Sequence, residues 1–194
     1  MSDAGLLLII SGPSGVGKTT ITRAVRERTA GAVVSVSMTT RPRTAADREG
    51  VDYYFVDETA FLGMIARNEL LEHAEVFGKR YGTPRKPVED RLAEGKVVIL
   101  EIDVQGAEQV KAAMPDAFGV FILPPSEDEL LQRLRDRKRE GEEAIQRRFS
   151  EAKREIDAAR SGAVYDACVV NRKLDDAIAG TVKLVEQARI ARRG

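Results

Sequence analysis

Short apolar runs alternate along the chain with segments whose apolar residues recur at helical spacing. The runs are rich in branched side chains and cover residues 6–10, 33–36, 97–102, 118–123 and 167–170. Helical spacing predicts helices over residues 18–28, 58–67, 88–93, 105–113, 127–138, 143–160 and 175–192. Apolar strands that alternate with helices are typical of a parallel sheet with helices on its faces. The pattern therefore predicts an α/β fold.

The composition is that of one ordinary globular domain. The chain has 194 residues, of which 43% are hydrophobic and 32% are charged. Its 31 Lys and Arg residues balance 31 Asp and Glu residues. An even balance gives no general attraction to nucleic acid or to an anionic membrane, so we expect neither as a partner. An anionic ligand must therefore be bound by a local site.

Cysteine and histidine are too rare for a disulfide framework or a structural zinc site. The chain has one Cys and one His. Cys168 lies in an apolar run, where we expect a small buried side chain, and we expect His73 to be structural. The run at residues 6–10 is far too short to span a bilayer. These features favour a cytoplasmic protein.

The strongest chemical signal is G-P-S-G-V-G-K-T at residues 12–19, between a predicted strand and a predicted helix. This spacing and context are those of a phosphate-binding P-loop, whose backbone N–H groups surround phosphate oxygens. Lys18 is placed for the β- and γ-phosphates of ATP, and Thr19 for Mg²⁺. The predicted ATP contacts here are Gly12, Pro13, Ser14, Gly15, Val16, Gly17, Lys18, Thr19 and Thr20.

Further motifs follow the P-loop in a definite order. They are S-V-S-M-T-T-R-P-R at residues 35–43, G-V-D-Y-Y-F at 50–55, Glu72, Y-G-T at 81–83, L-E-I-D-V-Q-G at 100–106 and R-L-R-D-R at 133–137. Together they resemble the guanylate kinases, which transfer the terminal phosphoryl group of ATP to GMP. The likeness covers about residues 6–178.

The resemblance implies a three-layer P-loop kinase fold with a parallel core sheet, a GMP-binding insertion and a helical lid. All 194 residues would form one domain. Its core would comprise about residues 5–36, 89–125 and 158–194, its GMP-binding region about 37–88, and its lid about 126–157.

The resemblance also implies a GMP site. Arginine forks and phenolic hydroxyls suit a phosphate dianion, and a carboxylate suits the two donors on the guanine edge. The implied phosphate ligands are Arg41, Arg43, Tyr53 and Tyr81. The implied base ligands are Glu72, Ser37 and Thr83, and Glu101 and Asp103 complete the set of residues expected to bind GMP.

One stretch departs from the family pattern. Guanylate kinases usually space their two phosphate arginines three residues apart and follow them with a glycine and a glutamate. Here Arg43 comes one residue early, Pro42 stiffens the backbone before it, and Asp47 replaces the glutamate. The distance from Arg41 to Tyr53 still matches the family.

Glu101 and Asp103 follow a predicted strand, at the end where parallel α/β folds place ligand-facing side chains. In the family this acidic pair orders a water of Mg²⁺ or the substrate. We favour Asp103 as the metal-linked member, through water, and leave open which of the two faces the ion.

The lid implied by the resemblance supplies cations to ATP and the migrating phosphoryl group. Arg133 and Arg137 lie four apart on one predicted helix face, and Arg148 follows. Asn171 matches a family position near adenine. Lys18, Arg41, Arg137 and Arg148 are thus the predicted catalytic residues.

Two alternatives differ in function. One is a related P-loop kinase that acts on another phosphorylated sugar or nucleotide, such as a ribosyl bisphosphate. The other is a guanylate-kinase-like protein-binding module without catalysis, against which Lys18, Thr19 and the lid arginines argue. The sequence leaves open whether the protein is a monomer or a homodimer.

Overall fold

The computed structural model describes residues 4–76, 78–136, 141–162 and 164–192. Its strands are β1 Leu6–Ser11, β2 Ala32–Val34, β3 Met38–Thr39, β4 Tyr54–Phe55, β5 Leu70–Val76, β6 Lys79–Pro84, β7 Val97–Glu101, β8 Phe118–Leu123 and β9 Ala167–Val170. Its helices are α1 Lys18–Arg28, α2 Glu58–Ala66, α3 Arg85–Ala93, α4 Val104–Ala113, α5 Glu127–Asp136, α6 Glu142–Ser161 and α7 Leu174–Ala191. The strands and helices predicted from apolar patterning are confirmed to within three residues, apart from the end of α5, which adjoins residues outside the described ranges.

The central sheet is parallel and has five strands, in the order β2-β7-β1-β8-β9. All six residues of β1 are buried, because β7 and β8 flank the strand and helices cover both of its faces. This environment explains why β1 is a continuous apolar run rather than an alternating one. The P-loop begins where β1 ends, at the carboxyl edge of the sheet.

Two apolar cores lie on opposite faces of this sheet. Alternate side chains of β1, such as Leu8, pack with Ile21 of α1 and Ile178 of α7. The intervening side chains, such as Ile9, pack with Val88 of α3 and Val110 of α4. Successive strand residues point to opposite faces, so a strand that is apolar throughout joins both cores. The predicted three-layer α/β fold is confirmed.

A second, smaller sheet lies between β2 and α3 in the chain, and apolar patterning did not predict it. Its order is β4-β3-β6-β5, with β3 and β4 parallel and the other pairs antiparallel. Helix α2, which precedes β5, begins at Asp57, whose carboxylate accepts a hydrogen bond from Ala60 N at 2.7 Å. This sheet and the loops beside its strands carry most of the side chains predicted to bind GMP.

Helices α5 and α6 pack together over the end of the core sheet. Leu130 and Leu134 of α5 form a third apolar cluster with Ile145 and Ile156 of α6 and with Phe121 of β8. This cluster joins α5 and α6 to the core sheet.

The expectation that Cys168 is buried is wrong. Strand β9 is an edge strand on which Val169 packs into the core, while Cys168 and Val170 point to the opposite side and are exposed. An apolar run does not distinguish such an edge strand from a central one. Among the described residues, no helix combines the length and apolarity needed to cross a bilayer.

Candidate active site

The P-loop folds through backbone conformations that favour glycine. Gly12, Gly15 and Gly17 have φ angles of 148°, 89° and 100°, which other residues rarely adopt. At Gly12 a side chain is also excluded by space, since a Cβ atom would lie 2.5 Å from the carbonyl oxygen of Ile122. Helix α1 starts directly after Gly17, so its positive end faces the loop. The loop is built to surround an anion.

A cavity of about 230 Å³ opens above this loop. Its lining comprises Pro13, Ser14, Gly15, Gly17, Lys18, Thr19, Thr20 and Glu101. The Lys18 ammonium group donates to the carbonyl oxygens of Gly12 and, at 3.2 Å, Pro13. Most of the predicted ATP contacts therefore line one cavity.

The two acidic residues at the carboxyl end of β7, Glu101 and Asp103, have different partners. The Thr19 hydroxyl donates to Glu101 Oε1 at 2.6 Å, which joins the P-loop to the neighbouring strand. Asp103 Oδ1 accepts a hydrogen bond from Gly106 N at 2.8 Å and caps α4. Glu101, rather than Asp103, thus contacts the predicted metal ligand Thr19. Hydroxyl and carboxylate oxygens are ligands that suit Mg²⁺, so the residues present fit this ion.

Asn171, which directly follows β9, braces the P-loop. Its side-chain amide donates to the carbonyl oxygen of Val16 at 2.8 Å, and the residue is only 6% exposed. Arg133 in turn donates to the carbonyl oxygen of Asn171 at 3.0 Å. These contacts connect the loop to β9 and α5.

A buried carboxylate lies in the small sheet, on β5. Glu72 is 6% exposed and accepts a hydrogen bond from the Thr83 hydroxyl of β6 at 2.6 Å. Burial raises the pKa of Glu72 to about 7, with a smaller rise from Asp103, while the Thr83 hydrogen bond opposes the rise. A Cβ atom at Gly106 would lie 3.1 Å from Glu72 Oε2, so this glycine keeps room beside the carboxylate.

The predicted phosphate ligands Arg41, Tyr53 and Tyr81 are brought together. The guanidinium carbon of Arg41 lies 5.4 Å from the ring centre of Tyr53 and 5.3 Å from that of Phe55. The Tyr53 and Tyr81 rings meet edge to face at 5.9 Å. Burial raises the pKa of Tyr53 above its ordinary value, so its hydroxyl remains a proton donor at neutral pH.

Hydrogen bonds between its own residues hold the loop between β3 and β4. Both terminal nitrogens of Arg41 donate to the carboxylate of Asp47, at 3.0 and 2.9 Å. Arg43 is exposed, and its Nε donates to the backbone carbonyl oxygen of Asp47 at 3.1 Å. Arg43 therefore lies on the exposed side of this loop, whereas Arg41 packs on the aromatic rings.

Comparison with known proteins explains why these groups occur together. The family model of guanylate kinase matches residues 5–188. The chain belongs to the guanylate kinase family.

Individual relatives support this membership. The chain is 50% identical over 170 residues to the guanylate kinase of Thermobifida fusca, covering 88% of this chain and 85% of that one. It is 49% identical over 174 residues to the guanylate kinase of Thermosynechococcus vestitus, covering 90% of each. The crystal structure of guanylate kinase from Anaplasma phagocytophilum is similar, with a TM-score of 0.75 and 34% identity over all of this chain and 89% of that one.

The residues predicted to form the lid, about 126–157, include α5 and most of α6. Arg148 lies on α6 and is partly buried, and Arg133 lies on α5 against Asn171. Arg137 lies outside the described residues. Ser37 is partly buried just before β3, and its backbone carbonyl accepts a hydrogen bond from Tyr54 N at 2.9 Å.

Sequence reasoning missed one carboxylate, Glu155 of α6. Burial raises its pKa to about 7, the positive charge of Lys18 opposes the rise, and Glu151 and Asp103 add to it. Glu155 lies three and four residues from Ala152 and Ala159, which are buried on the inner face of the helix. A charged residue at that spacing on an apolar stripe is the signal that could have revealed it.

Proposed function

We propose that this chain is an ATP:GMP phosphotransferase that converts ATP and GMP, and also dGMP, into ADP and GDP or dGDP. Family membership supports the reaction type. The observation that carries the choice of base is Glu72, a carboxylate buried beside the Thr83 hydroxyl in the small sheet. Guanine presents two donors, N1–H and N2–H₂, to such a carboxylate, whereas adenine presents an acceptor at N1.

The phosphate of GMP would bind at the other end of the same sheet. Arg41 and the hydroxyls of Tyr53 and Tyr81 provide one cation and two donors. Arg43 would contribute from the exposed side of the loop, and Ser37 would complete the base contacts. Glu101 and Asp103, at the carboxyl end of β7, lie between this site and the P-loop.

ATP would occupy the cavity above the P-loop. The backbone N–H groups of residues 12–19 would surround its phosphates, Lys18 would turn from its carbonyl partners to the β- and γ-phosphates, and Thr20 would contact the α-phosphate side. Asn171 would hold the loop from beneath, near the adenine, and Arg133 would support that contact.

Mg²⁺ fits the oxygens at the P-loop, where it would neutralise charge on the transferred phosphoryl group. Thr19 and Glu101 are the residues placed to hold it, and Asp103 would act through water. This assignment gives Glu101 a larger part than the sequence predicted for it.

Phosphoryl transfer needs positioning and charge stabilisation more than proton transfer. The acceptor phosphate is already anionic, so no general base is required. Lys18, Arg41, Arg148 and Arg137 would face the charge that develops on the equatorial oxygens, and closure of the lid over residues 126–157 would exclude water. The proposed division is one domain with a core, a GMP-binding region at 37–88 and this lid.

We further propose that the protein works in the cytoplasm, where both nucleotides occur, as a monomer or homodimer. Nucleic acid and membrane are not proposed as partners, because the whole-chain charge is balanced.

The deciding experiment is an assay of ADP release with ATP, Mg²⁺ and each of GMP, dGMP, AMP, CMP and UMP. Activity confined to GMP and dGMP is expected. Activity with a ribosyl bisphosphate but not with GMP would support the alternative kinase. Binding without turnover of any acceptor would support the protein-binding module.

A further inference from the structure

Asp47 receives an unusual number of hydrogen bonds for a loop carboxylate. Arg41 donates to it through Nη1 at 3.0 Å and Nη2 at 2.9 Å. Thr44 donates through its backbone N–H and its hydroxyl, both at 2.7 Å. The Asp47 side chain is only 15% exposed. Four donors therefore converge on one carboxylate within the GMP-binding loop.

These hydrogen bonds occupy the end of the Arg41 guanidinium group that carries Nη1 and Nη2. The edge that carries Nε and Nη2 can still donate to a ligand. A guanidinium group has five N–H donors. Nη1 donates to Asp47 and to the Pro42 carbonyl oxygen at 3.0 Å, and Nη2 donates to Asp47. Within the described ranges, the remaining donors are Nε–H and the second hydrogen of Nη2. These two point the same way, and together they form a fork that fits two phosphate oxygens.

Two aromatic rings confine the guanidinium group of Arg41. Arg41 lies over Tyr53 and Phe55, and Tyr53 is itself a proposed phosphate ligand. The rings limit the movement of the guanidinium group, and the two hydrogen bonds to Asp47 set the direction of its remaining edge. An arginine side chain that is held in place before the ligand arrives loses less rotamer freedom on binding than an unpaired one.

We infer that Asp47 is a positioning residue, which turns the Nε–Nη2 edge of Arg41 toward the phosphate of GMP. The inference rests on the proposed function and adds a residue to it. Orientation matters more in this chain because Arg43 directs its Nε to the backbone of Asp47. Arg41 is consequently the arginine on which phosphate recognition depends most.

The negative charge of Asp47 has an opposing effect, because it repels a phosphate. Two observations decide which effect is larger. Asp47 lies at the end of the guanidinium group, away from the remaining edge, and its charge is shared among four donors. Hydrogen bonds from Arg41 and Thr44 also hold the pKa of Asp47 well below its usual range, so it stays paired at working pH. A phosphate that displaced Asp47 from Arg41 would have to break both of the Arg41 hydrogen bonds.

The test compares the affinities of GMP and guanosine, which differ only in the phosphate. Calorimetry for GMP and an NMR titration for guanosine would be run on the wild type, Asp47→Asn, Asp47→Glu and Asp52→Asn. Asp52 is a matched control, because it accepts three hydrogen bonds from Arg48 in the same loop but none from Arg41.

Asp47→Asn should weaken GMP binding by about 10-fold or more and leave guanosine binding unchanged, since charge-assisted hydrogen bonds orient only the phosphate ligand. Asp47→Glu keeps a carboxylate and should retain more GMP affinity than Asp47→Asn. Asp52→Asn should leave the ratio of the two affinities as in the wild type.

Three results would overturn the inference. Equal or tighter GMP binding by Asp47→Asn would show that Asp47 competes with the phosphate. Equal losses for GMP and guanosine would show that Asp47 only stabilises the loop. A wild type that binds neither ligand would refute the proposed function itself, before any variant is compared.

Discussion

Replacing Glu72 with glutamine tests the assignment of guanine as the substrate base. The variant keeps the size of the side chain but offers one acceptor instead of two, and it turns a donor toward the donors of guanine. Losing a charge-assisted pair and creating this mismatch costs about 2–4 kcal/mol. That cost corresponds to a loss of roughly 30- to 1,000-fold in kcat/KM for GMP.

The burial of Glu72 adds a dependence on pH. Its pKa lies at about 7, and guanine binds the ionised form. The advantage of the wild type over the variant should therefore be full at pH 8 and should shrink as the pH falls below 7. Taking the ratio of the two kcat/KM values cancels the titration of the GMP phosphate, which affects both enzymes alike.

The same substitution should stabilise the protein without nucleotide. The folded pKa lies above its ordinary value of 4.5, so the contribution of the neutral carboxyl is fully present below pH 4.5 and is lost as the pH rises through about 7. At pH 8 the ionised, 6% exposed Glu72 thus costs up to about 3 kcal/mol, which glutamine avoids.

Two measurements check this reasoning. A coupled assay gives kcat/KM for GMP between pH 5.5 and 8, and thermal unfolding gives the stability at pH 6 and 8. An unchanged kcat/KM for GMP would remove the reason for choosing guanine. A lower melting temperature would instead mean that the activity loss reflects unfolding.

Three further substitutions separate the roles of the other groups. Lys18→Ala should abolish phosphoryl transfer while calorimetry still detects GMP binding, because Lys18 faces the ATP cavity; equal loss of GMP affinity would mean that the two sites are misplaced. Arg148→Ala should lower kcat by about 100-fold with little change in KM for GMP, since its charge is needed most in the transition state; a kcat near that of the wild type would refute its place in the lid. Asn171→Ala removes the partner of the Val16 carbonyl, which costs about 1–3 kcal/mol, and should raise KM for ATP but not for GMP. Steady-state kinetics with each substrate varied checks this, and a raised KM for GMP would contradict it.

The core sheet could be predicted from sequence because its strands are apolar, and the three central ones, β7, β1 and β8, are buried on both faces. Each appears as a short apolar run, and β1 and β8 are the clearest cases. The small sheet could not be predicted in this way. Strands β3 and β4 have two residues each, and β3 pairs with β6 across more than 40 residues of chain. Such pairing depends on distant partners and leaves no local period.

The candidate site likewise has parts that the sequence predicts locally and parts that depend on distant residues. The P-loop could be found from its own spacing, because its glycines and lysine act within one short segment. Glu72 and Tyr81 were predicted only through the family resemblance. The contact of Thr19 with Glu101 joins residues 82 positions apart, and only the fold shows it. The pairing of Asp47 with Arg41 is local, yet its geometry depends on rings that the sequence does not place.

The hydrogen bond from Asn171 to Val16 bears on how the chain folds during its synthesis. Its two residues are separated by 155 positions, and the ribosome makes Val16 first. At typical elongation rates the P-loop waits on the order of 8–30 s for this brace. For the first part of this wait, until β7 and β8 are made, the apolar side chains of β1 have no sheet to join. Tight ATP binding should therefore mark a chain whose last strand has docked.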